Sequence, residues 1–334
     1  SHVFIAKDLN QFKKLFIDKL KVMLSDDELG AFILVLANSL QDDYLKKELS
    51  SDLKDNFFVL KDKFNAGKLK ATQDDLNVFK QLLGIDIQQL PVWRTRQEGD
   101  WQVVCNVMRK LRPARASTQV LNSIIQDFDD SKFHFNKPFL KPEILWQGEY
   151  KNKNVRVLYN KFPFSDYHLL IAVSPEENLA QVLTEQMHRY ISALAEEMNQ
   201  LLPGFAVGFN SLAAGASVNH LHFQGFIREQ KFTVEKLAEL NDYPLSVKRF
   251  FDVESSWYYL QTLVAKDIAF NCLYRKNVCY VVPRKYQGSV ELPEWLDGAG
   301  WIDVSGVMTV SDEKSFYSID GKSVKKSLAL LEAS

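Results

Sequence analysis

The chain has 334 residues, 46% hydrophobic and 25% charged, the composition of an ordinary globular protein with room for one large domain or two fused units. Its 41 Lys and Arg balance 42 Asp and Glu, so no basic excess argues for bulk binding to nucleic acid or to an anionic membrane. The three cysteines, Cys105, Cys272 and Cys279, fit neither a disulfide framework nor a CxxC zinc site, and no apolar run reaches the roughly 18 residues of a membrane span.

The start, Ser1-His2-Val3-Phe4, lacks a signal-peptide layout, so reduced thiols and a cytoplasmic location are expected. Residues 4 to about 90 read as a helical block packed on the main body. Phe12, Leu15, Phe16, Leu20 and Met23 recur at helical spacing with lysines between them. Ser25-Asp-Asp-Glu28 reads as a capping box for a helix from 29 to about 40, and charged, aromatic-containing segments run on to Gly84.

From Trp93 the texture changes to short strands broken by turns. Residues 103–108 alternate loosely, 149–158 read as a hairpin across Lys151-Asn-Lys-Asn154, and 168–173 as an apolar strand ending at Ser174-Pro175. An amphipathic helix is predicted from about 175 to 201, with Leu179, Val182, Leu183, Met187, Ile191, Leu194 and Met198 on one stripe. Strands at 205–210 and 218–227 follow. A helical stretch near 255–265 then leads to a hairpin of 268–274 with 278–283. Strand–strand–helix–strand–strand is α+β with antiparallel pairing. Asn160-Lys-Phe-Pro163 and Val281-Val-Pro-Arg284 sit near strand ends in comparable halves, a faint echo of duplication.

The run Gly208-Phe-Asn-Ser-Leu-Ala-Ala-Gly-Ala-Ser-Val-Asn-His-Leu-His-Phe-Gln224 carries the chemistry. On an extended strand His220, His222 and Gln224 share one face. A neutral imidazole is a nucleophile near neutral pH. Backbone amides around Gly215, Ala216 and Ser217 can approach phosphate oxygens closely. Gln224 cannot shuttle a proton, but its NH2 can hold an oxygen as charge builds on it. A phosphate leaving group needs little acid help and inorganic phosphate arrives ionised. The pattern therefore favours transfer to phosphate over hydrolysis, with no cofactor or metal. A structural His-x-His pair, or one binding zinc with His134, His168, His188 or a carboxylate, is the plain alternative.

The whole string resembles the transferase side of the histidine-triad superfamily: galactose-1-phosphate uridylyltransferases, diadenosine tetraphosphate phosphorylases and GDP-hexose phosphorylases. Asn210-Ser-Leu212 with Asn219-His-Leu-His-Phe-Gln224 resembles the signature of the GDP-hexose phosphorylases most. A second block agrees: Arg112-Pro113, then Phe128-Asp-Asp-Ser-Lys-Phe-His-Phe-Asn-Lys137. Trp93-x-x-Arg96 with Gly99, Asn160 with His168, and Trp301-Ile-Asp-Val-Ser-Gly306 resemble further segments. The likeness runs from about 93 to 310.

The resemblance implies His222 as the nucleophile and a histidine-triad-like antiparallel sheet in two tandem halves, as in galactose-1-phosphate uridylyltransferase. The expected layout is a helical appendage over 1–90, a catalytic half over 91–230 and a second half over 231–334 without the histidines. The implied reaction is phosphorolysis of a nucleoside-diphosphate hexose, guanosine-linked for preference, through a nucleotidyl-histidine. Diadenosine tetraphosphate phosphorylase, or a binding protein with a vestigial site, are the rival readings. Expected partners are the nucleotide sugar and inorganic phosphate, without nucleic acid or membrane; a homodimer is left open.

Around the nucleophile, Asn210, Ser211, Gly215, Ala216, Ser217 and Asn219 are candidates for holding nucleotide and phosphate. Asn160, His168, Arg112, Lys132 and Lys137 join them through the resemblance, with Arg115 beside Arg112, although a solvated turn over core phenylalanines explains the cations equally. Arg284-Lys285 is a weaker candidate for the acceptor phosphate, and His188 reads as a surface residue. The chain departs from the pattern in a near-deletion between Trp101 and Arg112, in Ala213 where relatives tend to carry Gly, and in Asp303 for Glu. These departures bear on base and sugar specificity.

Overall fold

The computed structural model describes residues 4–113, 121–296 and 298–333. Its helices and strands are α1 (Leu9–Met23), α2 (Leu29–Ser39), α3 (Asp43–Asn65), α4 (Gln73–Leu83), β1 (Arg94–Glu98), β2 (Trp101–Cys105), β3 (Ile144–Tyr150), β4 (Lys153–Tyr159), β5 (Leu169–Val173), α5 (Glu185–Leu201), β6 (Phe205–Asn210), β7 (His222–Ile227), α6 (Thr233–Glu239), β8 (Lys248–Phe250), α7 (Val253–Ala265), β9 (Ala269–Arg275), β10 (Val278–Arg284), α8 (Trp301–Val304), β11 (Val307–Val310), α9 (Glu313–Ser318) and α10 (Gly321–Ala329). This is a mixed α+β architecture.

Eight strands form one antiparallel sheet in the order β3-β4-β5-β7-β6-β9-β10-β8. From β5 to β8 the order is symmetric about the central β6·β9 pair. Each side holds a strand, a helix and a hairpin-like strand pair: β5, α5, β6, β7 on one and β8, α7, β9, β10 on the other. A smaller sheet joins β2 to β1 antiparallel and to β11 parallel, so the C-terminal segment closes onto residues before the main sheet.

Local chemistry explains most of these elements. The β3–β4 turn, Lys151-Asn152, has both residues at positive φ, the backbone that suits a tight hairpin. Asn277 at φ 60° serves the β9–β10 turn. Asp8, Asp42 and Thr72 cap α1, α3 and α4 by accepting the Gln11, Leu45 and Asp75 amides.

The N-terminal helices share the main core. Phe4, Phe12, Phe16 and Phe32 pack in one apolar cluster with Val155, Leu169 and Phe205 of the sheet. The Phe16 ring lies 4.9 Å from Tyr159 and 5.0 Å from Tyr167. A second cluster, with Trp101, Val103, Met308, Val324 and Leu328, lies around the small sheet.

Several boundaries differ from the sequence reading. Ser25 does not cap α2: its hydroxyl donates to Val22 O, Asp27 turns left-handed at φ 52°, and Glu28 stands at the helix start without a capping bond. The predicted helix from 175 begins instead at Glu185, capped by the Thr184 hydroxyl. Residues 178–184 run free of helix because Gln181 bonds into the strands and Leu179 O accepts Leu221 N–H. The strand predicted from 218 begins only at His222, where pairing with β5 starts. His188 is not a surface residue: it is fully buried, with Nδ1 on Tyr274 OH at 2.8 Å and Nε2 on Ser256 Oγ at 2.7 Å. Among the described residues no helix is long and apolar enough to cross a membrane.

Candidate active site

A cavity of about 790 Å³ opens at the end of β7, lined by His222, Gln224, Asn160, Asn210 and the turn 215–218. The C-terminal segment supplies another part of its lining, including Gly300, Asp303 and Thr309. The cations on it are Arg109, Lys110, Arg112 and Lys161, with the exposed rings of Phe133 and Phe139 beside them.

His222 is held at backbone and ring alike. The Gln181 amide accepts its N–H at 2.8 Å and donates to its carbonyl at 3.0 Å, while also donating to Asn210 O at 2.9 Å. Gln181 thus bridges β6 and β7 beyond the point where their own pairing ends at Gly208 and Gln224. The ring Nδ1 lies 2.7 Å from His220 O, and a carbonyl can only accept, so Nδ1 carries the proton. Nε2 keeps its lone pair and bonds no described residue. Burial pushes the imidazole down to about 4, so it stays neutral at pH 7.

His220 does different work. Its Nδ1 accepts Phe135 N–H at 3.0 Å and its Nε2 donates to Pro175 O at 3.0 Å, so both nitrogens are engaged. The ring stacks on Phe135, whose own ring lies 5.0 Å from His222. Burial lowers its pKa as well. The two sequence blocks that carry the resemblance are therefore in contact, with His220 as the joint.

Gln224 is oriented by two donors. Trp301 Nε1–H can only donate, and it meets Gln224 Oε1 at 2.8 Å. His168 Nδ1 accepts Phe164 N–H at 3.2 Å, which puts its proton on Nε2, and Nε2 donates to the same Oε1 at 2.8 Å. The Gln224 NH2 is left for the cavity. Burial holds His168 down to about 3, so this tautomer persists through the physiological range. The Trp301 indole fits because Gly208 has no side chain; a Cβ there would fall 2.4 Å from the ring.

The turn before the strand is bent by Ala213 at φ 64° and Gly215 at φ 100°. At Ala213 the left-handed backbone is one that glycine adopts without the Cβ strain alanine bears there. Gly215 N–H donates to Gln287 Oε1 at 3.0 Å, whereas the amides of Ala216, Ser217 and Val218 bond no described residue. A Cβ on Gly215 would lie 2.8 Å from Gly300 Cα, so only glycine lets the C-terminal segment close there.

The other predicted site residues divide. Arg112 and Asn160 line the cavity; Asn160 Oδ1 accepts Phe162 N–H at 3.0 Å. Asn210 lines it with Oδ1 accepting Trp301 N–H and Asn271 Nδ2–H, each at 2.8 Å. Ser211, Asn219, Lys132 and Lys137 are not among the lining residues. Ser211 Oγ accepts Phe270 N–H, Asn219 ties the loop to Gln126 and Asp127 carbonyls, and Lys137 donates to Asp130 O. Arg115 lies outside the described residues. Arg284 does not reach the cavity: it is buried, donating to Ala299 O and Asn271 Oδ1, and its pKa is pushed down to about 10. Sequence reasoning missed Gln181, hidden in an apolar stripe, and the role of Trp301. Among the described residues no group of three or more His, Cys, Asp or Glu is placed to hold a metal ion.

Residues 86–226 match the family model described as GDPGP1-like, N-terminal domain. Over this part of its length the chain is similar to the GDP-hexose phosphorylases. It is 33% identical over 146 residues to GDP-D-glucose phosphorylase 1 of Danio rerio, covering 42% of this chain and 41% of that protein. It is 27% identical over 139 residues to GDP-L-galactose phosphorylase 2 of Arabidopsis thaliana, covering 36% of this chain and 32% of that protein. The chain thus matches less than half the length of these curated relatives. Its fold is similar to yeast Ap4A phosphorylase Apa2, with a TM-score of 0.51 and 15% identity, covering 79% of this chain and 96% of that one. The matched segment 86–226 contains His222, Gln224, Gln181 and the Phe135 block.

Proposed function

We propose that the protein is a GDP-hexose phosphorylase that works through a nucleotidyl-histidine. The observation that carries this reading is the ring of His222: neutral, with Nδ1–H on the His220 carbonyl and Nε2 facing a cavity rimmed by cations and by the amides of 216–218. Nε2 attacks the α-phosphorus, the P–N bond forms, and the bond to the β-phosphate oxygen breaks to release hexose 1-phosphate. The ring gains positive charge, which the His220 carbonyl stabilises through Nδ1–H. An oxygen of inorganic phosphate then attacks the same phosphorus, the P–N bond breaks, and the nucleoside diphosphate leaves with His222 neutral again.

Gln224 NH2 and the amides of 216–218 hold the non-bridging oxygens in this scheme, where such donors are worth about 10²–10³ in rate. The cations at Lys110, Arg112 and Lys161 receive the diphosphate, and Phe133 or Phe139 stacks on the base. His220 acts as a positioning residue. The symmetric strand order about β6·β9 supports two histidine-triad-type halves, the second lacking any histidine.

Intact-mass measurement after mixing the protein with GDP-glucose tests the reading. A GMP adduct is expected, discharged by inorganic phosphate to GDP and absent in His222→Ala, with phosphorolysis down at least about a thousandfold. Adduct and turnover with diadenosine tetraphosphate but with no GDP-hexose would replace the substrate. No adduct with either would overturn the chemistry.

A further inference from the structure

Asp303 has no part in the chemistry above, yet its carboxylate lines the cavity that holds His222. Oδ2 accepts Gly300 N–H at 2.9 Å, and no side chain among the described residues bonds either oxygen. Thr309, from the following strand β11, lines the cavity too, and its hydroxyl oxygen is buried with no partner among the described residues. A buried hydroxyl of this kind is costly unless something bonds it, and the Asp303 carboxylate, held only by backbone, has acceptor capacity left over.

Their position is fixed against the catalytic strand. Trp301 N–H donates to Asn210 Oδ1 and the Trp301 indole to Gln224, so Asp303, two residues on, cannot drift. A carboxylate there selects by sign. It repels a phosphate, more strongly in half-buried surroundings than in water, and as a pure acceptor it matches O–H or N–H donors. The phosphates of a ligand belong with Lys110, Arg112 and Lys161 instead, while Arg109 and Arg284 lie near enough to Asp303 to favour its ionised form. A site built to bond a donor also rejects analogues lacking it far better than an apolar pocket does.

We infer that Asp303, assisted by Thr309, is a specificity-determining residue that accepts hydrogen bonds from an uncharged, donor-bearing part of the nucleotide sugar and keeps phosphate out of that part of the cavity. The inference rests on the nucleotide-sugar reading above. Two parts of such a ligand offer the chemistry: the hexose hydroxyls and the N–H edge of a guanine.

Asp303→Asn tests it, since the Asn carbonyl keeps the Gly300 bond while its NH2 turns a donor toward the ligand's donors. The expected result is a fall of at least tenfold in kcat/KM for GDP-glucose, with that for diadenosine tetraphosphate unchanged or raised. Binding of GDP, GDP-glucose and ADP-glucose locates the donor. Weakening confined to the two sugars assigns the hexose; weakening of both GDP ligands but not ADP-glucose assigns the base. Thr309→Val is the second variant, with a smaller shift of the same sign expected. Equal losses for every ligand, or an unchanged GDP-glucose to diadenosine tetraphosphate ratio in both variants, overturn the inference. If the wild type turns over no nucleotide sugar, the functional reading fails alone, and the binding series still decides for or against Asp303.

Discussion

At the scale of single residues, the site turns on which nitrogen of each ring carries a proton. For His222 the His220 carbonyl decides it; for His168 the Phe164 amide does. The sequence singled out His222 as the candidate nucleophile because His-x-His-x-Gln followed by strand residues is a rare pattern with a chemical use. It could not show that His220 faces Phe135 and Pro175, because the strand predicted from 218 begins four residues later, at His222. Nor could it show Gln181 or Trp301 reaching the site, since both partnerships span long stretches of chain. Protonation of His222 removes the attacking lone pair, so adduct formation should fall as pH drops through about 4, well below the usual histidine range. The check is the rate of GMP-adduct formation from pH 4 to 8. A limb near 6 that vanishes in Asp303→Asn belongs to that carboxyl, which burial holds up to about 6. A limb near 6.5 that survives this substitution would mean His222 is better hydrated than its surroundings indicate.

At the scale of elements, the hairpins and the helical block were readable, because turn residues and apolar spacing are local signals. The start of α5 was not. The apolar stripe continues upstream through Leu179 and Val182, and only the Thr184 cap and the strand-bridging Gln181 end the helix. The reason for the N-terminal block also emerges only from contacts. The segment between β4 and β5 carries the cavity residues Asn160, Lys161, Phe162 and Phe164. Asn38 of α2 donates to Asn160 O at 2.9 Å, Gln41 accepts Tyr167 N–H at 2.7 Å, and Asp75 of α4 pairs with Lys161 at 2.7 Å. The helices thus hold one wall of the cavity in place. Each lost buried bond costs about 1–3 kcal/mol. Asn38→Ala with Asp75→Ala should therefore loosen that wall, raising KM for the nucleotide several-fold with a smaller change in kcat. Steady-state kinetics of folded protein reads the split, and an unchanged KM would confine the block to core packing.

For the whole molecule, function and stability meet in histidines that folding keeps neutral. Burial lowers His168 to about 3 and His188 and His222 to about 4, against about 6.5 in an unfolded chain. Between pH 6.5 and about 4 the unfolded chain therefore binds more protons than the folded one at these sites, so stability rises with pH and is lost on acidification. Across that window the slope is about 1.4 kcal/mol per pH unit for each histidine that is fully protonated only when unfolded. Asp303, held up to about 6, binds its proton more readily in the folded state and offsets part of the loss below that pH. With His220, which burial also lowers, the histidines outweigh it, so the urea midpoint should drop from pH 7 to pH 5. His188→Gln is the informative variant, because an amide can still meet Tyr274 OH and Ser256 Oγ but takes up no proton. It should flatten that dependence by its own contribution, at most about 1.4 kcal/mol per pH unit. A slope unchanged in His188→Gln would show that this buried ring is already protonated in the folded state and that Tyr274 and Ser256 both accept from it.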